Sequence, residues 1–169
     1  QVTLSIEDEK GNSMKIIEVN DMDAEYKKVS FQFTPEETFD PAIFRISGSG
    51  QGSFRTGTVS LMPADHVQGF NREVLAYLRE LNAPIYRWPG GNFVSGYNWK
   101  DGIGDRDRRP PRKNPAWTGI EPNDVGIHEY MTFCELVNTE PFICVNTGLG
   151  TVEEVAQQVE YCNGAVGSP

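Results

Sequence analysis

Residues 85 to 99 read Ile-Tyr-Arg-Trp-Pro-Gly-Gly-Asn-Phe-Val-Ser-Gly-Tyr-Asn-Trp. Two tryptophans, two tyrosines, two asparagines, a serine and Arg87 crowd into this stretch. Arg87 carries five N–H donors in a rigid fork, able to orient a carboxylate and hold it ionised. Asn92 both donates and accepts hydrogen bonds. Tryptophan rings supply flat apolar walls with one N–H each. Together these groups suit a polar ligand with flat apolar faces, such as a sugar. The carboxylates Asp101, Asp105, Glu121 and Asp124 lie in or near the loop that follows. Metal chemistry finds little support: Cys134, Cys144 and Cys162 have no Cys-x-x-Cys spacing, and His66 and His128 are the only histidines.

Positioning such groups takes a scaffold. Residues 85–88 form a short β-prone run, and Pro89 ends it because it cannot donate to a ladder. Gly90 and Gly91 allow turns and close approaches that a Cβ forbids. Upstream, Phe70, Val74, Leu75, Leu78 and Leu81 share one helical face. A long loop runs from Pro89 to about Pro122. Asn123 or Asp124 can cap the next helix, with Ile127, Tyr130, Met131, Cys134 and Val137 on its apolar side. Residues 142–145 read as a strand. Thr151 and Glu154 form a capping box for a helix burying Val152, Val155, Ala156 and Val159, and Asn163-Gly164 stops it. The order α-β-α-β-α implies a parallel sheet, open or closed. Barrel sites lie at the C-terminal strand ends, here 87–93 and Asn146-Thr147-Gly148, which would face one opening.

Residues 1–62 read differently. Segments 2–6, 14–19, 29–33, 43–46 and 58–61 look like short strands, with a turn cluster at 8–11 and a hairpin-type connection at 48–53. That spacing argues for part of a β-sandwich. The expected domains are a sandwich part, 1–62, and an α/β part, 63–169.

The 85–99 stretch closely resembles the glycoside hydrolase family 51 α-L-arabinofuranosidases. The resemblance continues through Lys100-Asp101-Gly102-Ile103-Gly104 to Pro115-Ala116-Trp117, and resumes at Phe142 to Gly148, Thr151 to Glu154 and Val159 to Gly164. It implies part of a (β/α)8 TIM barrel, helix 1 to helix 3, preceded by part of a jelly-roll, carbohydrate-binding-like sandwich. It implies that Asn92 and Trp117 contact an arabinofuranosyl unit and that Arg87 stands beside the catalytic carboxylates. Phe93, Trp99 and Asn146 are further candidates. Each has a blander reading: Arg87 as a structural ion pair, Asn92 as loop backbone support, Trp117 as rim packing, and Trp88 and Trp99 as core.

A retaining glycosidase needs two carboxyl groups about 5–5.5 Å apart. None of the loop carboxylates stands at a predicted strand end. By resemblance, both catalytic glutamates lie on later strands, so this chain is expected to hold no catalytic residue. The implied activity is release of terminal arabinofuranosyl groups from arabinoxylan or arabinan, with no cofactor or metal. The implied partners are an arabinose-containing saccharide and either the rest of the barrel or further copies of the chain. A non-catalytic carbohydrate-binding fragment and an endo-β-glucanase are the alternatives.

A net charge of −9 and a pI near 4.7 argue against nucleic acid as a partner. No apolar run reaches the roughly 18 residues of a membrane span. The run 106–113 has five basic residues in eight, but its prolines and the neighbours Asp101, Asp105 and Asp107 favour a stiff, solvated, internally paired loop. The three cysteines are expected as small buried hydrophobes. Polysaccharide lies outside cells, so an extracellular or periplasmic location is expected, with the cytoplasm as alternative.

Overall fold

The computed structural model describes residues 1–36, 38, 40–165 and 167. The chain forms two compact units, Gln1–Ser60 and Leu61–Pro169.

The first unit holds an antiparallel sheet of β1 (Val2–Glu7), β2 (Ser13–Val19) and β3 (Ile43–Gly48), in the order β2-β1-β3. The central strand buries alternate residues on opposite faces: Val2 and Ile6 on one, Ser5 and Glu7 on the other. Glu7 is a buried carboxylate with partners. It accepts from the Ser5 hydroxyl at 2.6 Å and from Arg45 at 2.8 Å, which holds its pKa below the ordinary 4.5. The expected strands at 29–33 and 58–61 do not form. Val29 and Val59 are exposed, and Phe31 packs its ring on Phe44 instead of pairing its backbone. Strand-prone residues make a strand only where a partner edge exists. Among the described residues this unit has one sheet.

The second unit is mixed α/β. In order it contains α1 (Arg72–Leu81), β4 (Ile85–Trp88), α2 (Gly91–Val94), two 3₁₀ turns (Trp99–Gly102 and Arg106–Arg108), β5 (Arg112–Lys113) and β6 (Ile120–Glu121). Then come α3 (Ile127–Val137), β7 (Glu140–Ile143) and α4 (Val152–Asn163). β4 and β7 pair in parallel, with Arg87 opposite Phe142 and Trp88 opposite Ile143. The second strand therefore starts and stops two residues earlier than its hydrophobic run suggests. Thr139, ahead of it, donates its hydroxyl to the Ala83 carbonyl and sets this register.

Helix α3 carries the core. Ile127, Tyr130, Cys134 and Val137 are buried, as their spacing predicts. Its start differs from expectation. Neither Asn123 nor Asp124 caps it; Gly126 does, and its N–H is received by Glu129 Oε2 at 2.8 Å. Asn123 stands three residues before this cap, at φ +60, and gives its amide to the Pro110 carbonyl. Tyr130 joins the helix to both strands: its hydroxyl donates to the Tyr86 carbonyl at 2.5 Å and accepts from the Phe142 N–H at 2.9 Å.

Two helices depart from their apolar patterns. In α1 only Leu75 is fully buried, while Val74 and Leu81 are exposed. In α4 the capping box of Thr151 and Glu154 is present, yet Val152, Ala156 and Val159 face solvent. Gln158 is the buried residue of this helix, its amide directed to the Cys144 carbonyl. Cys134 is buried, but Cys162, on α4, is exposed, against the expectation for all three cysteines.

Candidate functional site

The parallel pairing of β4 and β7 puts their C-terminal ends at one edge of the sheet. The loops leaving them touch. The Leu149 N–H donates to the Ser95 carbonyl at 3.2 Å, and the Asn146 amide donates to the Tyr97 carbonyl at 3.3 Å. Gly148 is required at this joint, because a Cβ there would come within 2.7 Å of the Ser95 side chain. The two predicted site loops thus meet.

The first loop turns sharply after Pro89. Gly91 occupies the left-handed region at φ +59 and starts the short helix α2, which carries Asn92 and Phe93. Phe93 then packs on Tyr97 with ring centres 4.9 Å apart. Tyr97, Trp99 and Ile127 form a buried cluster, flanked by Trp88, Phe93, Met131 and Ile143. Aromatic packing beneath the loop holds its upper surface in place.

A cleft of about 500 Å³ opens on that surface. Arg87, Trp88, Pro89, Gly90 and Phe93 form one wall. Glu121, Pro122, Asp124 and Val125 form the other. Arg87 is exposed, and no described residue forms an ion pair or side-chain hydrogen bond with its guanidinium. The ion-pair reading of Arg87 is therefore not realised among the described residues. Glu121 accepts from the Asn123 N–H at 3.1 Å.

Asn92 is exposed on α2, next to the cleft residues in sequence but outside its lining. Trp117 lies at the tip of the β5–β6 hairpin, 68% exposed, its N–H received by Asn114 Oδ1 at 2.7 Å. The structure thus gives Arg87, Asn92 and Trp117 free polar or aromatic surface, and it places only Arg87 and Phe93 on the cleft wall.

The other candidates are scaffold. Trp99 is 7% exposed, and its indole N–H goes to the Glu154 carbonyl at 3.3 Å. With its donor committed and its ring against Tyr161, it has no face for a ligand. Asn146 accepts from the N–H groups of Gly148, Leu149 and Gly150 as well as donating to Tyr97. Its hydrogen-bonding capacity builds the loop.

Sequence reasoning missed three groups. Arg109, expected in a solvated loop, is buried and meets Glu129 through two bonds of 2.9 Å. Burial pushes the Glu129 carboxyl up, but bonds from Arg109 and the Gly126 N–H outweigh it, and its pKa lies below 4.5. Tyr130 and Tyr97 are the other two. Tyr97 is buried, its hydroxyl has no hydrogen-bond partner among the described residues, and burial, followed by the Glu121 charge, raises its phenol to about 12. Helical spacing marks Tyr130 only as a core residue, and no spacing marks Arg109 or Tyr97. Among the described residues, no group of three or more His, Cys, Asp or Glu is arranged to hold a metal, and no helix is long and apolar enough to cross a membrane.

Residues 77–169 match the family model of the alpha-L-arabinofuranosidase 1 domain. The probable alpha-L-arabinofuranosidase C of Aspergillus clavatus is 50% identical over 102 residues, 60% of this chain and 20% of that protein. The arabinose complex of the Thermotoga maritima α-L-arabinofuranosidase matches 57% of this chain and 20% of its own, at 45% identity and a TM-score of 0.56. An arabinose-bound MgGH51 α-L-arabinofuranosidase matches 96% of this chain and 30% of its own, with a TM-score of 0.73 and 18% identity, a likeness of fold alone. The chain spans about a fifth of the length of the curated relatives it matches. With a family model matched over more than half of its residues, and with the strand-end loops of that model joined as described, the chain belongs to the α-L-arabinofuranosidase family.

Proposed function

We propose that the chain is a portion of a retaining α-L-arabinofuranosidase that removes terminal arabinofuranosyl groups from arabinoxylan or arabinan. The observation that carries this reading is the cleft at the joined ends of β4 and β7, walled by an exposed Arg87. The arabinose bound by the Thermotoga maritima relative supports the sugar. Asn92 supplies hydrogen bonds to ring hydroxyls, Trp117 an apolar wall, and Arg87 the charge that keeps a nearby carboxylate ionised.

In this reading β4 and β7 are two strands of a (β/α)8 barrel, and the first unit is part of an inserted jelly-roll sandwich. The exposed faces of Leu81, Phe142, Val152 and Val159 support it, because further barrel elements would cover them. Three of the loop carboxylates have engagements of their own: Asp101 pairs with Arg112, Asp105 caps a 3₁₀ turn, and Glu121 accepts from the Asn123 N–H. The nucleophile and the acid/base come from elsewhere in the barrel.

The test is hydrolysis of an aryl α-L-arabinofuranoside by this chain alone and by a longer polypeptide carrying the whole barrel. Turnover is expected only from the second. In it, Asn92→Ala should lower kcat/KM at least about tenfold, the equivalent of one lost hydrogen bond of ~1.4 kcal/mol. Turnover by the chain alone would refute the placement of the carboxylates. Inactivity of the longer polypeptide on arabinofuranosides, with cleavage of β-glucan instead, would refute the substrate.

A further inference from the structure

Six hydrogen bonds leave the Arg109 guanidinium, four to backbone carbonyls and two to its ion-pair partner Glu129. Its side chain is 2% exposed. The guanidinium donates to the Gly104 carbonyl through Nε and Nη2, at 3.2 and 2.8 Å. Nη1 donates to the Asn123 carbonyl at 2.8 Å and the Asp124 carbonyl at 3.4 Å. The Glu129 carboxylate closes the fork at 2.9 Å on both oxygens, and Oε2 also accepts from the Gly126 N–H. Next door, the Asn123 amide donates to the Pro110 carbonyl at 2.7 Å.

The bonds to the Asn123 and Asp124 carbonyls fall on one feature. Residues 121–125 are the far wall of the Arg87 cleft, and Glu121 is also the last residue of the β5–β6 hairpin that carries Trp117. Within that wall, Asn123 takes a left-handed conformation at φ +60. A non-glycine residue held there needs surrounding contacts to fix it. Arg109 supplies them from one side and Glu129, rooted in the first turn of α3, anchors the arginine. The wall has little else to hold it: the hairpin pairs only two residues on each strand.

We infer that Arg109 and Glu129 are a positioning pair that sets the 121–125 wall and the Trp117 hairpin against Arg87, and thereby fixes the affinity of the cleft for its glycoside. The inference rests on the reading of the cleft as the sugar site. Neither residue lines the cleft; both act through the segment they hold. A lysine at 109 would keep the charge but lose the planar fork, and could not serve Gly104, Asn123 and Glu129 together.

The experiment uses the longer polypeptide that carries the whole barrel. Arg109→Lys and Glu129→Gln are each expected to raise KM for an aryl α-L-arabinofuranoside about tenfold while kcat stays within twofold, the signature of lost uniform binding. The double variant should be no worse than either single one, because both remove the same unit. Leu75→Ala, a core change away from the cleft, should lower Tm without moving KM at temperatures where it is folded. KM within twofold of the parent in both clamp variants overturns the inference. So does a KM that changes only in step with Tm, as a merely structural pair would produce. Amide hydrogen exchange on the same polypeptide separates this from a failure of the substrate reading. If arabinofuranosides are not hydrolysed at all, faster exchange at 112–125 in both variants, with 152–163 unchanged, still supports the clamp, and unchanged exchange at 112–125 refutes it.

Discussion

Asn146 and Tyr97 are joined side chain to main chain: the Asn146 amide donates to the Tyr97 carbonyl at 3.3 Å, across the gap between the two strand-end loops. The same side chain receives three consecutive N–H groups from its own loop. One residue thus shapes the β7 loop and fastens it to the β4 loop. Asn146→Ala should cost about 1 kcal/mol, since the Gly148 and Leu149 donors stay in reach of water and only the Gly150 N–H and the Tyr97 carbonyl are part-buried. Urea denaturation measures the loss. A variant of unchanged stability but weakened sugar affinity would return Asn146 to the ligand-binding set.

Two buried tyrosine hydroxyls should respond oppositely to removal. The Tyr130 hydroxyl serves the Tyr86 carbonyl and the Phe142 N–H. Tyr130→Phe is expected to destabilise by about 1–3 kcal/mol. The Tyr97 hydroxyl has no partner among the described residues. Tyr97→Phe removes a desolvated polar atom and should leave stability unchanged or raise it by up to ~1 kcal/mol. Thermal unfolding of the two variants, side by side, checks the contrast.

Alkaline pH should weaken the second unit through the same two residues. Burial, the leading cause in each, raises the phenols of Tyr97 and Tyr130 to about 12, against an ordinary 10.0. The folded state keeps the proton that the unfolded state gives up. The stabilisation is complete below pH 10 and is lost between pH 10 and 12. Phenolate absorbance should show Tyr97 and Tyr130 ionising only as the fold opens.

Acid acts on the clamp. The Glu129 pKa lies below its ordinary 4.5, so the folded state favours the carboxylate. That contribution is complete above pH 4.5 and falls away as pH drops through the folded-state value. Protonation removes one partner of the buried Arg109. Stability measured from pH 6 downward should decline in this range, and the decline should be shallower in Glu129→Gln.

Much of the scaffold was legible in local pattern. The face of Ile127, Tyr130, Cys134 and Val137 reported α3 correctly because those residues do face a core within the chain. The Thr151–Glu154 capping box is a contact between near neighbours, and it forms as read. The apolar faces of α1 and α4 were equally clear in sequence, yet Val74, Leu81, Val152 and Val159 are exposed. Periodicity reports the face a helix offers; whether another element covers it is decided by what stands opposite. The segments 29–33 and 58–61 failed for the matching reason in sheets, a strand pattern without a partner edge.

The sequence by itself determined the family, the parallel β/α order and the two strand-end loops that meet. Those features rest on residue types and short spacings, which survive without three-dimensional context. Only the tertiary structure sorted the residues within the loops. It turned Trp99 and Asn146 into scaffold and left Arg87 without a side-chain partner among the described residues. It also drew Arg109 from an apparently solvated run into a buried pair with Glu129, twenty residues away. The physical reason is that burial and hydrogen-bond partnership belong to pairs of distant residues, and a linear pattern records only one member of each pair.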